Sequence, residues 1–232
     1  MPRKENIEKM FDSIASDYDR LNHLMSLGVD RSWRRKAIRK IADIPSPEVL
    51  DLACGTGDFS LAIASASEGG HVTGVDLSSK MLEVMREKVV EKGLSDKISA
   101  EKGDGEELRF PDGSFDRVTV AFGIRNFENR EKGLREMLRV LKPGGRLVIL
   151  ELSVPENRIE RWLYNLYFLH VLPFVGGRIS GDKAAYNYLP ASVLKFPSRK
   201  EFLAEMASCG FTGLTHRAFT FGICRMYTGE KI

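Results

Sequence analysis

From residue 48 onward, short β-rich runs alternate with stretches whose apolar residues recur every three to four positions. Residues 48–53 (EVLDLA), 71–77 (HVTGVDL), 97–103 (KISAEKG), 115–122 (FDRVTVAF) and 145–153 (GRLVILELS) are predicted strands. Between them, 58–67, 79–93 and 130–145 are predicted helices. The second of these places Met81, Leu82, Met85 and Val89 on one face and stops at Gly93. The third places Leu134, Met137, Leu138 and Leu141 on one face before Pro143 and a glycine pair end it. Such alternation predicts an α/β fold with a parallel sheet and helices on both faces.

The C-terminal part changes character. Residues 198–211 predict a short helix with a serine start and a glycine stop. Residues 212–229 predict two strands joined at Phe221–Gly222, an antiparallel pair at the sheet edge. Two regions fall outside the alternation. The expected organisation is a helical cover over 1–43, a ligand-binding core over 44–153, an aromatic, irregular insert acting as a lid over 154–196, and a helix and strand pair over 197–232 that completes the core.

With 232 residues the chain can form one substantial domain. The formal charge of +3 is small, and Lys and Arg are spread along the chain beside Glu. Without a basic cluster, an appended basic domain or an NPPY-like tetrad after the fourth strand, no nucleic-acid partner is expected. Cys54, Cys209 and Cys224 are far apart and form no CxxC or Cys/His cluster, so neither a metal site nor a disulfide framework is predicted. A reducing cytoplasm fits them. The N-terminus lacks a signal-peptide core, and the most apolar stretch, 162–177, is broken by Asn165, His170 and Pro173.

The chemistry starts at LDLACGTGD (50–58), which ends a strand on Asp51 and opens a helix near Asp58. Gly55 and Gly57 allow a tight turn and close approach by a ligand. Asp76 ends the next strand, where a carboxylate can accept hydrogen bonds from the two hydroxyls of a ribose. The third glycine of a dinucleotide loop is Ser60 here, and Asp51 and Asp58 would repel a pyrophosphate. No GK[ST] follows, so this is not a P-loop. Acidic neighbours suit the amino and sulfonium groups of S-adenosyl-L-methionine better than a nicotinamide cofactor. After the third strand, Asp104 is placed to bond an adenine amine.

With these motifs in order over 49–153, the chain resembles the class I methyltransferases. YDRLNHLMSLGVDRSWRR (18–35) and RVLKPGGRLVILELS (139–153) resemble the two signatures of the ubiquinone/menaquinone biosynthesis C-methyltransferases, and residues 186–211 are similar to their tail. The resemblance implies a Rossmann-like class I fold: a seven-stranded, mostly parallel sheet with an antiparallel C-terminal strand. It implies cofactor contacts at Thr56, Asp76, Asp104 and Gly105. It also implies methylation of a ring carbon in a polyprenylated quinol. Demethylmenaquinol is the expected acceptor, with a methoxy-polyprenylbenzoquinol or another aromatic or lipid acceptor as alternatives. Three positions depart from the family pattern and bear on substrate preference: Ala121 replaces a common Ser, Asp30 a His or Gln, and Tyr227 a His.

A quinol carbon becomes nucleophilic when a neighbouring hydroxyl ionises and pushes charge into the ring. AFGIRNF (121–127) sets Arg125 and Asn126 at the end of the fourth strand, where α/β sheets bind ligands. Arg125 is the candidate donor to the phenolate oxygen, against a surface salt bridge with Glu128 or Glu131. Asn126 is the candidate for orienting a hydroxyl or a water. A guanidinium does not serve as a base. His23 and Tyr18 are candidates for accepting a proton or orienting water, with Asp30 as a third, while His23 equally suits simple packing beside Asn22 and Met25. In the insert, Trp162, Tyr164, Tyr167, Phe168, Leu172, Phe174 and Val175 suit a prenyl tail or simple lid packing, and Gly176–Gly177 suits a hinge. Arg158, Arg161 and Arg178 beside these aromatics suit peripheral contact with an anionic membrane, and the insert also suits a homodimer contact. The competing class is an inactive cofactor-binding scaffold, against which Asp76 and Arg125 argue.

Overall fold

The structure, a computed structural model, describes residues 3–26, 28–166 and 183–232. Seven strands form one sheet: β1 (Glu48–Leu52), β2 (His71–Asp76), β3 (Ile98–Lys102), β4 (Phe115–Ala121), β5 (Leu141–Leu152), β6 (Thr212–Phe219) and β7 (Cys224–Glu230). Their spatial order is β3-β2-β1-β4-β5-β7-β6. The first five are parallel, and β7 runs antiparallel to both of its neighbours. The strand order reverses between β1 and β4, and the crevice beyond their carboxyl ends is where such sheets bind ligands.

Nine helices are described: α1 (Lys4–Ile14), α2 (Tyr18–Met25), α3 (Asp30–Ile38), α4 (Asp58–Ala66), α5 (Ser79–Glu91), α6 (Arg130–Val140), α7 (Arg158–Leu166), α8 (Lys183–Lys195) and α9 (Arg199–Ser208). Successive strand residues point to opposite faces, so each strand feeds two cores. Leu50 and Leu52 of β1 join Leu134, Met137, Phe202 and Tyr227 on one face. Val49 joins Phe59, Leu82 and Met85 on the other. Asp51 continues the Val49 face, which puts a carboxylate where the pattern calls for an apolar side chain.

Two expectations need correction. The predicted helix over 130–145 ends at Val140, because Leu141 is already extended (φ −68°, ψ 139°) and pairs with Phe115. Pro143 and the two glycines therefore lie within β5, which shifts register there and starts earlier than predicted. The C-terminal hairpin is the predicted antiparallel pair at the sheet edge, with β7 against β5 and β6 outermost. Its connection is a tight turn, Thr220–Gly222, with Phe221 at φ +56°. Finally, the described ends of the insert are helical rather than irregular. Tyr167, Phe168, Leu172, Phe174, Val175, Gly176, Gly177 and Arg178 lie outside the described residues. Among the described residues no helix is long and apolar enough to cross a membrane.

Tyr227 is completely buried, edge-on to Phe202 with ring centroids 4.8 Å apart. Its hydroxyl has no hydrogen-bond partner among the described residues, and an unsatisfied buried hydroxyl costs about 1–3 kcal/mol. Tyr227→Phe is therefore expected to raise stability by about 1 kcal/mol in urea unfolding with an unchanged slope. A lower midpoint would show that the hydroxyl is satisfied.

Candidate active site

Between β1 and α4 the backbone turns through left-handed residues: Ala53, Gly55 (φ +56°) and Gly57 (φ +82°). A Cβ at Gly57 would lie 2.5 Å from Met85 Cγ, so this position demands glycine for space as well as conformation. The turn delivers the Gly55 N–H to Asp76 Oδ2 at 2.8 Å, while Ser78 N–H donates to Asp76 Oδ1 at 2.8 Å. Two backbone donors thus fix the Asp76 carboxylate at the wall of a cleft. Burial pushes its pKa up, against the lowering effect of those donors.

The cleft's far end follows β3. A Cβ on Gly105 would fall 2.7 Å from Phe127 Cζ, so this turn packs directly on the ring. Asp104 Oδ1 accepts from Glu106 N–H at 2.9 Å. The buried Glu106 carboxylate accepts from the N–H groups of Glu128 (2.7 Å) and Asn129 (3.1 Å). Helix α1 roofs this end through Lys4, Ile7, Glu8 and Phe11. Lys4 Nζ pairs with Asp104 Oδ2 at 2.6 Å and Glu106 Oε2 at 2.9 Å. Ser78 Oγ donates to Asp12 Oδ1 at 2.5 Å, tying α1 to the start of α5. The N-terminal segment read as a cover is therefore seated on the cleft.

Asp51 and Thr56 do not line this cleft. Asp51 is fully buried beneath the loop, accepting from Ser60 Oγ at 2.6 Å and Thr119 Oγ1 at 2.7 Å. Burial pushes its pKa up from 3.8 to about 6. Thr56 is also buried and donates through Oγ1 to Asp19 of α2. Lys88 completes the knot, pairing with Asp19 at 2.5 Å and Asp58 at 2.7 Å and donating to the Thr56 carbonyl at 3.1 Å. Asp19 and Lys88 were not foreseen, because nothing local marks either one.

Beyond β4, Phe122 is left-handed (φ +61°) and the turn Ile124–Asn126 follows. Arg125 is only 8% exposed, and its partner is neither Glu128 nor Glu131. It pairs through Nη1 with the completely buried Glu151 at 2.7 Å, and its own N–H donates to Glu151 Oε2 at 3.1 Å. Nη1 also bonds the Phe122 carbonyl, and Nε donates to Ser192 Oγ of α8 at 3.2 Å. Asn126 lines the cleft and accepts at Oδ1 from the Tyr188 hydroxyl at 2.8 Å. Glu151, Tyr188 and Ser192 were missed. The readable signal for Glu151 is a carboxylate closing the apolar run LVILEL (147–152).

Tyr18 lies against Gly55 and edge-on to Phe11, and burial pushes its pKa up, so at neutral pH it is a donor rather than a phenolate. His23 is on α2, and its side chain lies outside the described residues. Asp30 is buried, accepts from Ser26 Oγ at 2.7 Å and is ion-paired with Arg34. Arg34 stacks 5.4 Å over the cleft-lining Phe122. Ala121 lines the cleft, and on α7 Tyr164 is buried while Trp162 is exposed. Among the described residues no cluster of His, Cys, Asp or Glu could hold a metal ion.

The cleft's four carboxylates, Glu8, Asp76, Asp104 and Glu106, face a single lysine, Lys4. That excess of negative charge fits a cationic nucleoside and opposes a pyrophosphate. Gly55 and Gly105 both line this cleft. S-adenosylmethionine is such a cation, and these residues fit it.

Comparison with known proteins agrees. A model of the ubiE/COQ5 methyltransferase family matches residues 2–231. The chain belongs to the ubiE/COQ5 methyltransferase family. It is an S-adenosylmethionine-dependent methyltransferase with a Rossmann-like class I fold. It is 51% identical to a ubiquinone/menaquinone biosynthesis C-methyltransferase of Geobacter sulfurreducens, across 98% of this chain and 89% of that one. A demethylmenaquinone methyltransferase of Bacteroides fragilis is 45% identical over 99% and 94% of the two chains. A similarly named protein of Deinococcus radiodurans is 46% identical over 97% and 92%. Among solved structures, an S-adenosylmethionine-dependent methyltransferase from Thermotoga maritima superposes with a TM-score of 0.68 at 20% identity, over 97% and 99% of the chains. The [4+2]-cyclase SpnF gives 0.73 at 18% identity, over 99% and 97%. At such identities the likeness concerns fold alone, as a cyclase among the neighbours illustrates.

Within this family member, Asp51 carries a pH signature. Its pKa is raised on folding, so its stabilising contribution is complete below pH 3.8 and lost as pH rises through about 6. Above that, the ionised form costs about 2–3 kcal/mol. Asp51→Asn is therefore expected to gain about 2 kcal/mol over the wild type at pH 7.5 and to lose that gain towards pH 4, as urea unfolding across pH would measure. An equal difference at both pH values would place the ionisation elsewhere.

Proposed function

We propose that this enzyme transfers a methyl group to a ring carbon of a polyprenylated quinol, converting demethylmenaquinol to menaquinol. The observation that carries the reading is the buried Arg125, held by Glu151 beside the cleft-lining Asn126. The Bacteroides and Deinococcus relatives are named for demethylmenaquinone, which favours the naphthoquinol. The Geobacter relative is named for both quinones, which keeps a methoxybenzoquinol as the second reading.

When bound, S-adenosylmethionine supplies an electrophilic methyl group on a cationic sulfur. We assign its ribose to Asp76 and its adenine end to Asp104 and Gly105, with Gly55 and Gly57 shaping the turn beneath; Asp51 and Thr56 brace that turn from below. The acceptor must be held with one oxygen ionised. Arg125 has Nη1 and Nε committed, while Nη2 bonds none of the described residues. We assign that arm to the phenolate oxygen. A preorganised donor at such an oxygen is worth about 2.7–4 kcal/mol. Tyr18 adds a neutral donor on the α2 side, and the roof formed by α1 excludes water, which strengthens both contacts.

Such an acceptor resides in a bilayer, since each buried CH₂ is worth about 0.8 kcal/mol. We place peripheral membrane contact on α7, where Ile159, Trp162 and Leu166 form an exposed stripe near Arg158. Trp162→Glu should weaken flotation with phosphatidylglycerol vesicles and raise KM for a long-tailed quinol only. Equal KM values for long and short tails would remove the contact.

Labelled S-adenosylmethionine, offered with a reduced short-tailed demethylmenaquinone or a reduced methoxy-polyprenylbenzoquinone in detergent, tests the acceptor. Label in the naphthoquinol ring is expected. Label only in the benzoquinol would replace it, and label in neither, with cofactor bound, would end the quinol reading. Arg125→Lys keeps the charge but loses the fork, and kcat should fall about 100-fold at unchanged cofactor affinity. Arg125→Ala should also cost about 3–5 kcal/mol of stability, because Glu151 would stay buried and unpaired.

A further inference from the structure

The consecutive residues Arg125 and Asn126 are both engaged by one face of α8. Tyr188 and Ser192 stand four residues apart, on adjacent turns of that helix. The Tyr188 hydroxyl donates to Asn126 Oδ1 at 2.8 Å, and Arg125 Nε donates to Ser192 Oγ at 3.2 Å. Ser192 commits its own proton to the Leu189 carbonyl at 2.8 Å, which leaves a lone pair for the guanidinium. Helix α8 therefore fixes the conformation of both side chains.

A carboxamide has two unlike ends, an acceptor oxygen and a donor NH₂. With Oδ1 bonded to Tyr188, the remaining end of Asn126 is Nδ2, and Asn126 lines the cleft. We propose that Tyr188 is a positioning residue for methyl transfer, holding the Asn126 carboxamide with Nδ2 toward the acceptor's oxygen. Asn126 Nδ2 and Arg125 Nη2 then act as a pair of donors to one ionised hydroxyl. Freed from Tyr188, the amide can turn Oδ1 to the same oxygen, replacing a hydrogen bond with repulsion between two acceptors. Burial pushes the Tyr188 pKa up, which keeps its hydroxyl a donor at neutral pH. The inference rests on the quinol reading of the acceptor.

The test uses Tyr188→Phe, Asn126→Ala and the double variant of the full chain with the short-tailed quinol. Tyr188→Phe should lower kcat about 10- to 100-fold. Quinol KM, S-adenosylmethionine affinity and the unfolding midpoint should remain those of the wild type. The double variant should be no slower than Asn126→Ala alone, because Tyr188 acts only through Asn126. A wild-type kcat in Tyr188→Phe, or losses that multiply in the double variant, would overturn the proposal. A second readout needs no acceptor: the side-chain NH₂ resonances of Asn126, identified by their loss in Asn126→Ala. Tyr188→Phe should shift them, and unchanged resonances would equally overturn the proposal. A wild-type enzyme that methylated neither quinol would instead sink the functional reading, leaving the resonance test to decide the orientation of the amide.

Discussion

The ion pair between Arg125 and Glu151 is the constraint on which the turn after β4 depends. It joins the end of β5 to the turn after β4, and Ser192 brings α8 to the same guanidinium. Glu151 also accepts from its own chain at Leu152 N–H. A buried pair of this kind is poor evidence for stability, since apolar replacements of similar volume often do as well or better. What it supplies is a cation that cannot swing away. The left-handed Phe122 contributes as well, because its carbonyl is turned back onto Nη1. Backbone strain and a desolvated pair are thus spent on one guanidinium.

The cleft end lined by Asp76, Asp104 and Glu106 is organised by the opposite sign. Asp76, Asp104 and Glu106 are each held by backbone N–H groups, so their negative charge is anchored to the sheet ends rather than to flexible side chains. Lys4 reaches down from α1 to two of the three. Helix α1 is therefore attached by charge at the turn after β3 and by Asp12 at the start of α5. Such attachments are strong when dry and weak when wetted, which suits a cover that must admit a ligand and then exclude water.

Most of the sheet was legible, because strands covered on both faces appear as apolar runs and crossover helices keep a regular spacing of apolar residues. The failures have specific causes. Pro143 with two glycines marks the end of a helix and the start of a strand equally well, so the boundary at Val140 was overrun. The edge pair itself was legible, but that β7 rather than β6 lies against β5 is a matter of pairing, which no local pattern reveals. Asp76, Asp104 and Asn126, singled out because they stand at or after strand ends, all line the cleft. The surface salt bridge weighed against a role for Arg125 named Glu128 or Glu131, since neighbours in sequence are visible and Glu151, 26 residues away, is not. Tyr188 and Ser192 belong to a segment whose sequence looks merely aromatic until α8 is placed against the turn.

A bare cation would bind a phenolate well and for that reason catalyse poorly. Charge held on oxygen is charge withheld from the ring carbon that must attack. The donor at that oxygen needs to favour ionisation of the hydroxyl without immobilising the electrons it releases. In the role proposed for it, Arg125 meets this condition through its partner: Glu151 offsets much of its field, and Nη1 and Nε are already engaged. What reaches the acceptor is one directed N–H bearing a fraction of the full charge. Glu151 on this argument moderates the arginine as well as anchoring it, and a neutral amide beside it adds direction without adding charge.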